Sequence, residues 1–438
     1  MQETHYIRHV THLGNQRKII AEEDVYLENG HKLVARGSPV NSEIYERILK
    51  HKLAKPIEQS VSLENMLSVE TLNEAIARKL ETSPLLIKMQ SDYPELEKIA
   101  SGLLSEINLP GQLFFKLTIL KEQLPSIFSH SIDVSIAALY TGLKLELPRS
   151  ELRYLLIAGL LHDIGMLHLE PAIFDRQRNI TEEERKSIYA HPVIGYMILK
   201  PFRDMDVPAR AILEHHERLD GSGYPKSLSR DQLDTPGKIL AIAELAISLQ
   251  DQPLALPYEH RLPAILKFNQ PRYDSKGSRV LLDLVHRYYD EPQTPPVNLL
   301  REDFTHCVSS VWNILDDWDQ IKSRGSNLPD DIKDYIDTQT TDIKAGLIRS
   351  GLARENLEVD ETTLDIILEK PCEIMAILNE AMYQLKNTIH ELERRWPQIS
   401  LDRKLTTTVN DWIAMAQSMM EMPGDDAGVP DFTGDVAQ

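Results

Sequence analysis

The amino-acid sequence predicts a mainly α-helical protein, and three observations support this fold class. Apolar residues recur at helical spacing through most of the chain between residues 113 and 249. Helix-starting signals precede these segments, and glycine or proline follows them. Runs with high β-propensity are confined to the first part of the chain, so we expect a small N-terminal α+β module in front of helical regions.

Length and composition limit the kind of protein. The 438 residues exceed what one ordinary hydrophobic core holds, so several domains are expected. The formal net charge is −19, which works against non-specific binding to DNA, RNA or anionic lipid. No apolar run approaches the roughly 18 residues that span a bilayer, and the N-terminus lacks the apolar region of a signal peptide. The sequence therefore predicts a cytoplasmic protein that binds neither a nucleic-acid polymer nor a membrane.

The N-terminal module is predicted to occupy residues 1–112. Two β-prone runs, 24–27 and 32–35, flank Asn29-Gly30, a favoured hairpin turn. Apolar residues at helical spacing then predict helices over 41–53 and 69–80. Because the module precedes the main helical region, we expect it to be regulatory.

The central region, residues 113–300, is predicted to be a helical domain that carries the chemistry. Ser150 is the expected N-cap of a helix that leads into His162-Asp163. Residues 181–184 form a capping box for the helix that bears His191. A third helix is predicted over 207–218 and a fourth over 238–249.

The remainder of the chain divides into two predicted parts. Residues 301–422 read as a C-terminal helical region, with amphipathic segments at 356–391 and 402–420. These helices are candidates for a homodimer interface and for contacts with signalling proteins. The tail, residues 423–438, is polar, acidic and punctuated by glycine and proline, so it is predicted to be disordered.

A group of histidines and acids on the successive central helices predicts a metal centre. The group comprises His130, His162, Asp163, His191, His215, His216 and Glu244. Imidazole with carboxylate suits iron, manganese, nickel or zinc, and one carboxylate can bridge two ions. Two ions about 3.5 to 4 Å apart polarise a phosphoryl oxygen and activate water, which indicates hydrolysis of a phosphate ester. A His-Asp dipeptide alone is equally compatible with an ordinary helix end, so the prediction depends on the whole group.

Three strings in this group resemble the HD-GYP subgroup of the HD superfamily of metal-dependent phosphohydrolases. They are LLHDIG at 160–165, HPVIGYMIL at 191–199 and HHERLDGSGYP at 215–225. The resemblance implies an all-helical HD-type core that hydrolyses the bacterial second messenger cyclic di-GMP. Attack by a hydroxide bridging the metals would give linear pGpG, with GMP as a further product.

The resemblance also implies roles for individual residues, and the metal ligands fall into two sets. His130, His162, Asp163 and Glu244 would hold one ion, and Asp163 would bridge to a second ion held by His191, His215 and His216. Iron or manganese is the first expectation for both ions, with nickel or zinc as alternatives.

The catalytic pair and the substrate loop follow from the same match. Asp163 and His162 would be the catalytic pair. The loop of Gly221, Gly223, Tyr224 and Pro225 would shape the substrate pocket, and the alternative for this loop is a tight turn with a packed tyrosine.

Departures from the family pattern leave alternatives open. Met166 stands where the family usually has Lys, and Glu244 stands where it usually has Asp. Ser126 occupies the position at which three-metal members have Glu, so two ions are expected. One alternative is a degenerate domain that binds cyclic di-GMP or a partner protein without turnover. Another is a hydrolase of a different phosphorylated metabolite.

Overall fold

The computed structural model describes residues 4–49, 51–174, 180–251, 256, 258–288, 301–323, 328–355, 370–396 and 412–414. The chain forms two compact units. The first consists of the described residues up to 251 together with 271–284, and the second of those in 252–270 and from 285 to 414. The predicted boundaries at residues 112 and 300 stay predictions.

Helices dominate both units, as the sequence predicts. In chain order they are α1 (Thr4–Leu13), α2 (Ser42–Leu49), α3 (Val69–Thr82), α4 (Pro84–Asp92), α5 (Leu96–Glu106), α6 (Gly111–Gln123), α7 (Pro125–Lys144), α8 (Arg149–Leu161), α9 (Glu182–Ile188), α10 (His191–Leu199), α11 (Asp206–Glu214), α12 (Thr235–Asp251), α13 (Tyr258–Phe268), α14 (Ser275–Tyr288), α15 (Arg301–Ser323), α16 (Asp330–Arg349) and α17 (Pro371–Arg395). Within the described residues, no helix is both long enough and apolar enough to cross a bilayer.

The strands lie near the N-terminus. They are β1 (Ile19–Ala21), β2 (Val25–Tyr26), β3 (Lys32–Val34) and β4 (Val61–Leu63). The β2–β3 pair is antiparallel, and Gly30 has a φ of 83° in the turn between them, so the predicted hairpin is confirmed. Strand β1 pairs antiparallel with β4, which is distant in the chain, and helix α1 precedes β1. The sequence predicted neither this pairing nor helix α1.

Helix α7 forms the centre of the first unit, where it packs against α8 and α12. Nearly all of its residues from Ile127 to Gly142 are buried. The close crossing of α7 and α8 requires Gly159, because a Cβ there would lie 2.4 Å from the Cα of Ser135. Since His130 lies within α7 and His162 directly follows α8, this crossing sets the distance between two predicted ligands.

Several predicted helix boundaries differ from the structure, and two of them lie next to candidate ligands. The N-cap of helix α8 is Pro148, two residues before the predicted cap Ser150. Helix α11 ends at Glu214, whereas the sequence predicted a helix through residue 218. Neighbouring side chains on a helix point about 100° apart, so ending the helix here allows two consecutive histidines to face one centre. The predicted capping box before α9 is confirmed, since Thr181 and Glu184 make both reciprocal hydrogen bonds. The prediction that this helix bears His191 is wrong, because α9 ends at Ile188 and His191 begins the separate helix α10.

The second unit has its own helical core. Trp318 and Trp412 are almost fully buried in it, with ring centroids 5.8 Å apart. A buried polar network joins the side chains of Asn269, Glu380 and Gln384. Most of the predicted segment 402–420, the part of 356–391 before residue 370 and the whole tail from 423 lie outside the described residues.

Candidate metal centre

The structure brings every predicted metal ligand to one place in the first unit. His130 lies in α7, His162 and Asp163 follow α8, His191 begins α10, His215 and His216 follow α11, and Glu244 lies within α12. Three overlapping groups have ligand atoms within 4.8 Å of one another: His191 with His215 and His216, His130 with His162 and Glu244, and His162 with Asp163 and His215. The described residues therefore contain a histidine and carboxylate cluster that could hold metal.

The cluster is almost completely shielded from solvent. His162, His191 and His215 are 0% exposed, and Asp163 is 1% exposed. Burying charged carboxylates and unpaired imidazoles without a compensating charge or hydrogen bond is costly. A site with this composition therefore needs protons or cations inside it.

Backbone hydrogen bonds fix the tautomer of the three innermost histidines. The Nδ1 atom of His162 lies 2.8 Å from the carbonyl oxygen of Gly159, and His191 and His215 make the same contact with the residue three positions earlier. Because a carbonyl oxygen only accepts, Nδ1 carries a proton in each ring, and Nε2 is the nitrogen directed into the cluster. Metal-binding histidines are oriented by this type of contact.

The distance between the facing nitrogens of His191 and His215 indicates whether the site fits a metal ion. Their Nε2 atoms are 3.2 Å apart, and each Nδ1 proton already belongs to a backbone carbonyl. Two lone pairs at this distance repel unless a cation lies near both. Nitrogens bound about 2.1 Å from one ion and at about a right angle would be roughly 3 Å apart. The residues therefore fit a metal ion.

Asp163 lies between the two halves of the cluster. Its Oδ2 is 3.1 Å from the Nε2 of His162, and its Oδ1 is 3.3 Å from the Nε2 of His191. Neither carboxylate oxygen has a partner with hydrogen-bond geometry among the described residues. Each oxygen thus faces a different histidine, which is the arrangement that a bridging carboxylate needs.

Glu244 completes the half of the cluster that contains His130. Its Oε2 lies 2.9 Å from the Nε2 of His130 and 3.2 Å from the Nε2 of His162. Its other oxygen, Oε1, accepts a hydrogen bond of 2.7 Å from the hydroxyl of Ser248. The additional methylene relative to Asp therefore does not prevent this acid from reaching the histidines.

Electrostatics divide the cluster into protonated and neutral groups. Burial lowers the pKa of His162, but the carboxylates of Asp163 and Glu244 outweigh it and raise the value to about 10. Burial and the adjacent imidazoles lower the pKa of His215 well below its usual value. In the metal-free protein, a proton on His162 therefore balances the carboxylates, whereas His215 is neutral and ready to bind a cation.

The predicted substrate loop lies directly against the cluster. The Tyr224 ring stacks on the His216 ring, with centroids 4.7 Å apart, and the Tyr224 amide donates to the carbonyl of His216. Gly221 has a φ of 81°, and a Cβ on Gly223 would lie 2.4 Å from the Cα of Glu217. The close approach to residues 216–218 requires glycine at 223. Tyr224 is therefore packed in a tight turn that is also adjacent to a candidate ligand.

The sequence did not predict the roles of two buried acids, Glu217 beside this loop and Glu214 before the two histidines. The carboxylate of Glu217 accepts from the amides of Lys226 and Leu228, at 2.7 and 2.9 Å. Glu214 accepts from the amide of Asp234 at 2.9 Å. Burial raises the pKa of Glu217, and it raises that of Glu214 to about 7. In the sequence, the one feature that could have indicated these two acids is that they directly precede and follow His215-His216.

The departures seen in the sequence have clear positions. Met166 is fully buried in a 3₁₀ helix, Ile164–His168, that follows Asp163. Ser126 lies in the first turn of α7. The structure therefore has an apolar side chain, shielded from solvent, where the family pattern has a cation.

Comparison with known proteins supports the interpretation of these motifs. Residues 116–252 match the model of the HD domain family. The chain is 31% identical over 188 residues to the 3′3′-cGAMP-specific phosphodiesterase 1 of Vibrio cholerae, covering 40% of this chain and 43% of that protein. It is 31% identical to the cyclic di-GMP phosphodiesterase PA4108 of Pseudomonas aeruginosa, covering 33% of this chain and 36% of that protein.

A third relative is a response regulator. The cyclic di-GMP phosphodiesterase response regulator RpfG of Xanthomonas campestris is 33% identical over 118 residues, covering 26% of this chain and 30% of that protein. The matched regions thus span less than half the length of each of these three relatives.

Proposed function

We propose that this chain, whose residues 116–252 match the HD domain family, is a metal-dependent phosphodiesterase of the HD-GYP type that hydrolyses cyclic di-GMP. The observation that carries the proposal is the position of Asp163. Its two carboxylate oxygens face His162 and His191, which belong to different ligand groups. This arrangement favours a two-ion centre over a single-ion site.

The proposed ligands form two sets that share Asp163. One set is His130, His162 and Glu244, and the other is His191, His215 and His216. Histidine nitrogens with carboxylate oxygens favour iron or manganese, with nickel and zinc as alternatives. Divalent ions held there would supply Lewis acidity at the phosphodiester and the means of activating water at neutral pH.

The protein's own residues hold the ligands and exclude bulk water. The backbone carbonyls before His162, His191 and His215 keep each Nε2 directed into the site. Rigid ligands in a shielded cavity cost little reorganisation when charge develops on the phosphate. Water attacks phosphorus, the ribose 3′ oxygen leaves, and linear pGpG forms, with GMP as the product of a second cleavage.

The loop of Gly221, Gly223, Tyr224 and Pro225 is proposed to line the substrate pocket. Tyr224 is half-buried and lies against the ligand His216, which is the support for this assignment. A bound guanine or phosphate near His216 would thus be within reach of the tyrosine. Because relatives include a 3′3′-cGAMP-specific phosphodiesterase, the substrate assay must include both cyclic dinucleotides.

The test is turnover measured together with metal content. Purified protein loaded with Mn²⁺ or Fe²⁺ is incubated with cyclic di-GMP or 3′3′-cGAMP, and products are separated by chromatography. We expect cyclic di-GMP to be converted to pGpG faster than 3′3′-cGAMP is cleaved. Asp163→Asn should abolish turnover, and His286→Gln, which changes an exposed histidine of α14, is the matched control.

Two outcomes would overturn the proposal. Binding of cyclic di-GMP at full metal loading without any product would favour the degenerate binding domain. Turnover that survives Asp163→Asn would show that the site lies elsewhere.

We propose a regulatory role for residues 1–112. The support is that Tyr6 of α1 stacks on His168, which ends the 3₁₀ helix after Asp163, with ring centroids 5.1 Å apart. The ammonium of Lys116 lies 3.6 Å from the centroid of the Tyr6 ring and pairs with the buried Glu58. A shift of this module would thus reach the segment that carries the proposed bridging acid.

The other assignments are made by position and composition. Dimerisation through residues 301–422, signalling partners and a cytoplasmic location stay predictions from the sequence.

A further inference from the structure

Three aromatic rings form a continuous stack that ends on a candidate metal ligand. The ring of Tyr189 stacks on Tyr224, with centroids 4.4 Å apart and planes inclined by 30°. Tyr224 in turn stacks on His216, with centroids 4.7 Å apart and planes inclined by 16°. The stack therefore connects the ring of Tyr189 to the imidazole of His216.

Tyr189 belongs to a different part of the chain from the other two rings. It is the C-cap residue of α9, and its amide is bonded to the carbonyls of Arg185 and Ser187. The next helix, α10, begins two residues later with His191. Contact between Tyr189 and Tyr224 thus connects the segment that carries His191 to the loop that follows His216.

The rest of the loop is held from its own side. The Tyr224 amide donates to the carbonyl of His216, and the carboxylate of Glu217 binds the amides of Lys226 and Leu228. These bonds fix the loop relative to His216. The ring contact of Tyr189 connects Tyr224 to the segment that precedes His191.

The His216 ring is surrounded by other rings of the site. The Nδ1 atoms of His191 and His215 are bonded to carbonyls within their own turns, and these bonds orient both rings. The His216 ring lies 4.0 Å from the His215 ring and perpendicular to the His191 ring, at 87°. These ring contacts and the stack on Tyr224 help to hold the His216 ring in its orientation.

We infer that Tyr189 is a positioning residue for the metal group of His191, His215 and His216, and that it acts through Tyr224. The inference rests on the proposed metal centre but is independent of the substrate. The contact with Tyr224 is made by the ring of Tyr189. An aromatic pair contributes enough to change an affinity by about 2- to 12-fold.

The experiment measures metal binding rather than turnover. Stepwise Mn²⁺ affinities are obtained from chelator-buffered titrations of the full chain, with metal content read by elemental analysis. Tyr189→Leu should weaken one of the two binding steps by about 2- to 12-fold and leave the other unchanged. Tyr189→Phe should retain both affinities. Tyr196→Leu is the matched control, since this half-buried tyrosine of α10 lies below the ammonium of Lys200 instead.

A double-mutant comparison assigns the effect to His216. His216→Ala identifies the binding step that depends on this ligand, and adding Tyr189→Leu to it should cause no further loss if both act on the same ion. Tyr189→Met repeats the test with a flexible apolar side chain. Metal-free thermal unfolding of each variant shows that the fold is retained.

The outcomes separate this inference from the proposed function. If the wild-type chain binds no Mn²⁺, the metal centre itself is refuted. If it binds two ions and Tyr189→Leu binds them equally well, the positioning role is refuted. Equal losses in Tyr189→Phe or Tyr196→Leu, or additive losses with His216→Ala, also refute it.

Discussion

Replacing Glu217 by Gln should loosen the substrate loop while leaving the shape of the side chain unchanged. Glu217 is 2% exposed, and its two oxygens accept from the amides of Lys226 and Leu228. Gln offers one oxygen and one NH₂ group, so it can accept from only one of these amides. The other amide then faces a second donor and has no acceptor.

The structure gives the size of this effect. A buried donor without a partner costs about 1 to 3 kcal/mol. Since about 1.4 kcal/mol is a tenfold change in an equilibrium, local opening of the loop should become roughly 5- to 150-fold more frequent. Tyr224 lies on the same loop, so the KM for the cyclic dinucleotide should rise by a factor within that range.

Amide hydrogen exchange measures this opening directly. The peptide that spans residues 224–230 should exchange faster in Glu217→Gln, whereas peptides from α7 should be unchanged. Asp231→Asn is the matched control, because it replaces an exposed acid of the same loop region. Unchanged protection of Lys226 and Leu228 in Glu217→Gln would refute the role assigned to this carboxylate.

Three further predictions follow from the first unit. Gly159→Ala should destabilise the protein by about 1 to 3 kcal/mol and lower its metal affinity, because the new Cβ would collide with the backbone of Ser135. Urea unfolding measures the loss of stability, and metal titration measures the loss of affinity. Gly102→Ala, in helix α5, is the control and should be tolerated, because its new Cβ would lie 3.7 Å from the Arg149 guanidinium. Equal losses of stability in Gly159→Ala and Gly102→Ala would contradict the packing argument. Burial first, then neighbouring positive charge, lowers the pKa of His9 from 6.5 to about 4, so proton uptake favours the unfolded state. The free energy of unfolding that neutral His9 contributes above pH 6.5 should be lost as the pH falls toward 4. Between about pH 7.5 and 5, urea unfolding should show that wild type loses about 2 kcal/mol more than His9→Leu. Equal losses in the two proteins would exclude this effect. Because the pKa of His162 is about 10 in the metal-free site, Mn²⁺ binding near pH 8 should release about one proton. The heat of binding measured by calorimetry should then depend on the ionisation enthalpy of the buffer. Heats that are independent of the buffer would count against this prediction.

Local signals in the sequence were sufficient for the elements that depend on neighbouring residues. The capping box at Thr181 and the hairpin around Gly30 were predicted because their hydrogen bonds join residues close together in the chain. The membership of the metal cluster was also predicted, since helical periodicity and three motif strings identify the candidate ligands. Their roles as ligands stay predictions.

Boundaries and long-range contacts were beyond the sequence. Periodicity predicted that the third central helix runs through residue 218, but α11 ends at Glu214, and His215 and His216 after it belong to one ligand group. The pairing of β1 with β4 and the contact of Tyr6 with His168 join residues far apart in the chain.

The sequence by itself determined the helical class and the identity of the candidate ligands, because periodicity, caps and residue chemistry are local properties. Only the tertiary structure decided how these ligands face one another: the opposed oxygens of Asp163, the paired Nε2 atoms of His191 and His215, and the Tyr189 stack. Distances between side chains on separate helices depend on helix packing, which no local pattern encodes.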